Sequence, residues 1–221
     1  MFLFNFKMTF ICIIPARKNS KRIKDKNIFK INGQTLISIS INEAKKSKYI
    51  SNENIFVSTD SEKICEEAIK SGAKVPFLRP KYLGLDNTNM SEVLNHFIKK
   101  ISKNIKFKYV VMLQPTSPLR TSKHIDEACS FFLKNLNKAK KLISVSKLPK
   151  NFYPIKIMKE KNNLINQLRG YENYHLKQNS FFVRNGPAIF IYSKKKLSSN
   201  IYEGKSLKYL MSEKSSLDIN E

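Results

Sequence analysis

Short unbroken apolar runs alternate along the chain with stretches in which apolar positions recur every three or four residues. Residues 10–16, FICIIPA, are almost wholly apolar and predict a strand buried on both faces. Residues 34–48 place Leu36, Ile37, Ile41 and Ala44 at helical spacing. NIFVSTD (54–60) predicts a second strand. SEKICEEAIKSG predicts a helix started by Ser61 and stopped at Gly72. KVPFLRP (74–80) predicts a short strand, held to an edge or a sheet end by its prolines. A helix near 90–103, a strand over 109–115, a helix over 122–136 and a strand over 141–147 continue the rhythm.

This alternation predicts a three-layer α/β/α domain with a mostly parallel sheet and helices on both faces. Ligands in such sheets sit beyond the carboxyl ends of the strands. That rule puts Arg17, Asp60, Arg79, Gln114 and Arg120 on one rim. From residue 148 the rhythm breaks. The stretch 149–184, rich in Asn, Lys and aromatics, predicts a hairpin or loop-rich excursion suited to dimerisation and sugar binding. Its aromatic pairs, Phe152-Tyr153 and Phe181-Phe182, bury either against a second subunit or on the parent domain. AIFIYSK (188–194) returns to strand, and KYLMSEKSSLDINE ends the chain as a strand and loop. Residues 8–221 read as one domain, and 1–7 as either an upstream-start artefact or a frayed tail.

At 221 residues the chain can bury a substantial core. No apolar run approaches the roughly 18 residues that would span a membrane. Three scattered cysteines, Cys12, Cys65 and Cys129, form no CxxC or Cys/His pair and fit a reduced, cytoplasmic setting. A formal charge of +24 points to an anionic partner. A compositional source competes with that reading: 35 Lys, 22 Asn and 25 Ile stand against 7 Ala, the mark of an AT-rich coding sequence. The same bias makes the six arginines informative, because a guanidinium grips phosphate or carboxylate at two points where ammonium is a point charge.

The loop after the first strand, ARKNSKRIKDKN, carries six cations and no glycine. It is neither a Walker loop nor a dinucleotide fingerprint, both of which need glycines at fixed spacing. Arg17, Lys21 and Lys26, with Ser20 and Asn27, are suited to wrap a polyphosphate with side chains. The competing reading is a solvated basic turn.

Taken together, IIPARKNSKRIKDKN, VSTDSEKI, VPFLRP, LQPTSPLRTSKHIDEA, RNGPAIFIY and SSLDIN run in order over about residues 9–220. In that order they resemble the acylneuraminate cytidylyltransferases, the CMP-sialic acid synthetase family that includes pseudaminic and legionaminic acid versions. The resemblance implies a nucleotidyltransferase that joins CTP to a nine-carbon, sialic-type sugar acid, releasing pyrophosphate, for surface glycan synthesis. It implies Mg²⁺ and a homodimer. It further implies that Arg17, Lys26 and Asn27 hold the triphosphate and ribose side, with Ser20 in the same loop. Arg79 then reads the cytosine edge, Gln114 meets the sugar, and Lys156 meets sugar or phosphate. Arg184 lies one place from the family's arginine beside NG. Asp218 is the first metal-binding aspartate of the closing motif, so the catalytic set is Arg17, Lys26 and Asp218.

Departures from the pattern matter as well. Asn220 stands where the family has a second metal-binding aspartate, and an amide brings no negative charge. The stretch that is DTASS in the family is DNTNM here (86–90), and the family's sugar-carboxylate arginine has no clear counterpart, Lys177-Gln178 being nearest. A weakened family member is therefore one alternative. A 3-deoxy-manno-octulosonate cytidylyltransferase is another, opposed by Lys26-Asn27, where such enzymes carry a KPL-type loop. SKRI, through Arg22, leans towards pseudaminic acid. A basic nucleic-acid-binding protein is the rival from a different class. It predicts salt-steep binding, but no recognition motif accompanies the spread-out charge, so no nucleic acid and no membrane insertion are expected.

Overall fold

The computed structural model describes residues 9–18, 20, 23–149, 152–153, 158–161, 164–167, 181–194 and 200–219. Its first strand, β1 (Phe10–Pro15), is buried at all six positions. Phe10, Cys12 and Ile14 enter one core cluster, and Ile11 and Ile13 enter another. Because successive side chains point to opposite faces, a strand with helices on both sides must be apolar throughout, as this one is.

After the basic loop, β2 (Lys30–Ile31) and β3 (Gln34–Thr35) make a small ribbon that leads into α1 (Leu36–Lys45). Thr35 caps α1 by accepting from the Ser38 amide. Two residues at the start of the expected helix thus belong to the ribbon. β4 (Ile55–Ser58) and α2 (Glu62–Lys70) follow as the pattern predicts; Ser61 caps α2, and Gly72 takes φ 93 just beyond it. The expected strand over 74–80 does not form. Lys74 makes a single parallel bridge to Phe56, and the chain then turns. Pro76 and Pro80 cannot donate to a ladder, and the Arg79 side chain turns inward to the end of β4.

α3 (Met90–Ile101), β5 (Tyr109–Leu113), α4 (Ser122–Lys134) and β6 (Lys141–Lys147) complete the regular part. Within 149–184, β7 (Met158–Lys161) and β8 (Leu164–Gln167) pair as an antiparallel ribbon of their own, and β9 (Phe182–Arg184) joins β6 in the main sheet. β10 (Ile189–Ser193) and β11 (Leu207–Leu210) finish it.

The main sheet has the order β11–β6–β10–β5–β1–β4, with β9 also on β6. β4, β1, β5, β6 and β11 point one way, while β10 and β9 run against them. The sheet is therefore mixed but mostly parallel. α1, α2 and α4 cover one face through residues such as Ile41, Ala68 and Phe132; α3 covers the other through Leu94, Phe97 and Ile101. All three cysteines are free. Burial pushes the Cys12 thiol up to about 12, against the pull of Arg120, so it is an inert core group. Among the described residues no helix is long and apolar enough to cross a membrane.

Pro15 of β1 lies opposite Ser58 of β4, and β1 pairs with β5 on its other side. The loops that leave these three strands therefore share one rim. The topology alone brings the basic loop, Thr59-Asp60 and Gln114–Thr116 together.

Candidate active site

On this rim lies a cavity of about 300 Å³. Six residues singled out from the sequence line it: Arg17, Ser20, Lys26, Asn27, Arg79 and Gln114. Leu83, Leu85, Met90 and Val93 supply an apolar wall. The basic loop at its mouth is shaped without glycine. Asp25 takes the left-handed region at φ 52, a conformation that aspartate tolerates better than most residues, and a 3-10 turn over 26–28 follows. Asn27 is buried, and its Nδ2 donates to the Arg17 carbonyl at 3.0 Å. That amide therefore closes the loop on itself.

Arg17 pairs with Asp86 through Nη1 at 2.8 Å, and both line the cavity. Lys26 reaches the other way: its Nζ donates to the Ile219 carbonyl at 2.9 Å. The Ile219 amide donates to the Thr116 carbonyl at 2.8 Å. The chain's closing segment is thus stitched between the basic loop and the loop after β5.

Arg79 is only 5% exposed. Its Nη2 and Nε donate to the carbonyl (2.5 Å) and hydroxyl (3.2 Å) of Ser58, and its Nη1 to the Leu83 carbonyl at 3.3 Å. Burial pulls its pKa down to about 10, with Asp60 opposing and Arg17 adding to the fall. The guanidinium borders the cavity, yet it also holds the end of β4 to the segment before α3. Arg120 does not sit on the rim as expected. It is fully buried, and its Nη1 donates to the carbonyls of Gln114 (2.8 Å) and Ala188 (3.2 Å). This guanidinium is a core strap between the ends of β5 and β10. Burial pulls its pKa down to about 10 too, while Cys12 and Glu43 oppose the fall.

Gln114 Nε2 donates to the Gly186 carbonyl at 3.1 Å. Gly186 has φ 109 and precedes a cis Gly186–Pro187 bond. A β-carbon added there would lie 3.2 Å from Gln114 Oε1 and 3.6 Å from Asp218 Oδ2. The backbone angle calls for glycine, and its bare Cα lets Gln114 Oε1 and Asp218 Oδ2 both lie close to this turn. Asn185 secures the arrangement from behind. It accepts from Ser144 Oγ (2.7 Å) and the Ala188 amide, and donates to Ser216 Oγ at 2.9 Å, two residues before Asp218.

Arg184 is not brought to the cavity. It is exposed on β9 and stacks over the Tyr202 ring at 3.9 Å. Lys156, Asn220 and the Lys177-Gln178 pair lie outside the described residues. Sequence reasoning missed the part played by Asp86, which lies in the divergent 86–90 stretch, and by Thr116 and Asn185. Their partners are distant in sequence, and no local pattern announces them.

Among the described residues no group of three or more His, Cys, Asp or Glu forms a metal cluster. Mg²⁺ is commonly held by one or two carboxylates together with substrate phosphates. The half-buried Asp218, close to Gly186, fits such a one-carboxylate site.

Residues 11–211 match the family model described as Cytidylyltransferase. The chain belongs to the cytidylyltransferase family. An N-acylneuraminate cytidylyltransferase of Streptococcus agalactiae serotype V is 32% identical over 213 residues, which is 95% of this chain and 50% of that protein. A pseudaminic acid cytidylyltransferase of Campylobacter jejuni is 39% identical over 129 residues, 58% of this chain and 55% of that one. A CMP-N,N'-diacetyllegionaminic acid synthase of Legionella pneumophila is 37% identical over 122 residues, 55% and 52% of the two chains. The chain spans about half the length of these relatives. Among solved structures, a CMP:2-keto-3-deoxy-manno-octonic acid synthetase complexed with CTP superposes with a TM-score of 0.67 at 12% identity, over 92% of this chain and 90% of that one. At that identity the likeness shows the fold. The expected α/β nucleotidyltransferase class agrees with it.

Proposed function

We propose that this family member activates a nonulosonic, sialic-type acid with CTP, forming the CMP-sugar and pyrophosphate. The observation that carries the reading is that Arg17, Lys26, Arg79 and Gln114 line one cavity, with Gln114 and Asp218 both close to Gly186. Family membership and relatives whose names state this activity support it.

In this reading Arg17, Lys26 and Ser20 hold the triphosphate, and the apolar wall takes the base. Asn27 keeps the loop folded around the phosphates. Arg79 presents cytosine with donors where uracil would need an acceptor. Gln114, which can both donate and accept, orients the sugar hydroxyls. The anomeric oxygen bonds to the α-phosphorus as its proton passes to solvent, and the bond to pyrophosphate breaks, so that CTP and the acid give the CMP-sugar, pyrophosphate and a proton. Such a transfer needs positioning and charge neutralisation more than covalent help. When bound, Mg²⁺ would be held by Asp218, with Asn220 as the second candidate ligand, and would neutralise phosphate charge; Lys156 remains the candidate for the sugar side, whereas Arg184 on β9 points to Tyr202 instead. A phosphate meeting Arg17 competes with the Asp86 carboxylate for the same guanidinium, so nucleotide binding is expected to loosen that pair.

A homodimer is part of the proposal, with 149–184 as its arm. The separate β7–β8 ribbon and Phe152, 58% exposed, support it, whereas Tyr153 packs on Phe181 within the chain at 4.8 Å between ring centres. A substrate such as CTP places the work in the cytoplasm. The test is pyrophosphate release with CTP, Mg²⁺ and each of three acids: sialic, legionaminic and pseudaminic. Release with one acid and its absence when any component is omitted is expected. No release with any of them contradicts the proposal.

A further inference from the structure

The Asp60 carboxylate lies between two segments that the proposed nucleotide site needs in fixed places. Its Oδ1 accepts from the Lys18 backbone amide at 2.8 Å, one residue past Arg17. On its other side is Gly84, in the 3-10 turn over Lys81–Gly84. A β-carbon added to Gly84 would lie 2.4 Å from Asp60 Oδ2 and 2.9 Å from its Cγ. Gly84 does not have a positive φ. Its backbone would therefore accept alanine, and the carboxylate is what demands glycine there. The turn bearing Gly84 also supplies Leu83, whose carbonyl takes Arg79 Nη1, and Leu83 itself lines the cavity. The amide anchored by Asp60 belongs to the loop that carries Arg17.

We infer that Asp60 and Gly84 form a positioning pair: the bare glycine lets the Asp60 carboxylate lie against the 81–84 turn and anchor the basic loop at Lys18. Asp60 has one acceptor on the loop and one face on the turn, so it sets the spacing between Arg17 and the apolar wall. A side chain at 84 does not break the turn's own backbone. It pushes out the end of a short, rotatable side chain, and the Lys18 amide loses its acceptor. The consequence for CTP rests on the proposed function; the anchoring itself does not.

The experiment uses the full chain and four variants: Asp60→Ala, Asp60→Asn, Gly84→Ala and the double Asp60→Ala/Gly84→Ala. Amide hydrogen exchange at Lys18, followed by NMR without nucleotide, reads the anchor directly. Exchange should quicken in Asp60→Ala and Gly84→Ala. It should stay slow in Asp60→Asn, whose amide oxygen still accepts. Affinity for CTP with Mg²⁺, measured by calorimetry, should fall about tenfold in the same two variants, the typical worth of a charge-assisted hydrogen bond. Gly84→Ala should add nothing once Asp60 is alanine, because the group it displaces is gone. Additive losses in the double variant, or Lys18 exchange unchanged in Asp60→Ala, would overturn the inference. Altered exchange with no CTP binding in the unaltered protein would instead overturn the functional reading and leave the anchor standing. Thermal melting of each variant separates a lost anchor from a lost fold: a variant that melts below the assay temperature counts against a purely positioning role.

Discussion

Lys26 donates its ammonium to the carbonyl oxygen of Ile219, 193 residues further along the chain, at 2.9 Å. A cation of the basic loop thereby holds the segment that carries Asp218. The basic loop and the segment bearing Asp218 are fixed by one another, so a change at either end should be felt at both. Lys26→Met keeps the length of the side chain and removes the donor. It should lower stability by about 1–2 kcal/mol and weaken CTP binding together. Urea unfolding and calorimetry check this; lost affinity at full stability would mean that the Ile219 contact is incidental.

Arg79 gives a sharper forecast. Three of its five N–H donors meet two groups of Ser58 and the Leu83 carbonyl in a nearly closed environment. Lysine cannot reach all of these acceptors. Arg79→Lys should therefore cost the fold about 1–3 kcal/mol as well as reducing discrimination of CTP from UTP. Chemical denaturation read beside nucleotide affinity separates the two effects. A variant of unaltered stability would show that the guanidinium is held for the ligand alone.

Asn185→Leu should be among the most damaging single changes away from the cavity. It removes the partner of Ser144 Oγ, of Ser216 Oγ and of the Ala188 amide in a buried network. Buried groups left without partners cost about 1–3 kcal/mol each. A fall in melting temperature of several degrees is the expected result, with catalytic activity falling in parallel because Asp218 lies two residues past Ser216.

Acid stability should report on Glu43. Burial pushes its carboxyl up, but Lys46 and the Ser122 amide, which cap it at 2.6 Å each, and the charge of Arg120 hold it below the usual range. A folded-state pKa below the unfolded value of about 4.3 stabilises the fold above that pH. The contribution is lost as pH falls through the folded value. Glu43→Gln should flatten the stability profile below about pH 5 and change its slope little near neutrality. Denaturation midpoints across pH 3–7 read this out.

What the sequence revealed, and what it hid, divides by range. β1 is legible because a doubly buried strand leaves no position for a polar residue, and α2 because Ser61 and Gly72 mark its two ends within eleven residues. That Arg17, Arg79 and Gln114 would meet on one rim was legible because strand ends gather in this fold class whatever the details. The 74–80 segment was misread because its apolar letters serve a turn, with Arg79 directed into the protein. Arg120 was misplaced because position along the chain does not say on which side of a strand end a side chain falls. The links from Lys26 to Ile219 and from Asp60 to Gly84 rest on chain segments that meet only once the sheet is assembled, and no local spacing encodes them.

The cavity behind the basic loop is proposed to receive CTP. A crystal of the full chain soaked with CTP tests it most directly. Phosphates against Arg17 and Lys26, with the Arg17–Asp86 pair opened, and the base against the wall formed by Leu83 and Val93 are the expected result. Nucleotide bound elsewhere on the basic surface, with this cavity empty and that pair intact, would contradict it.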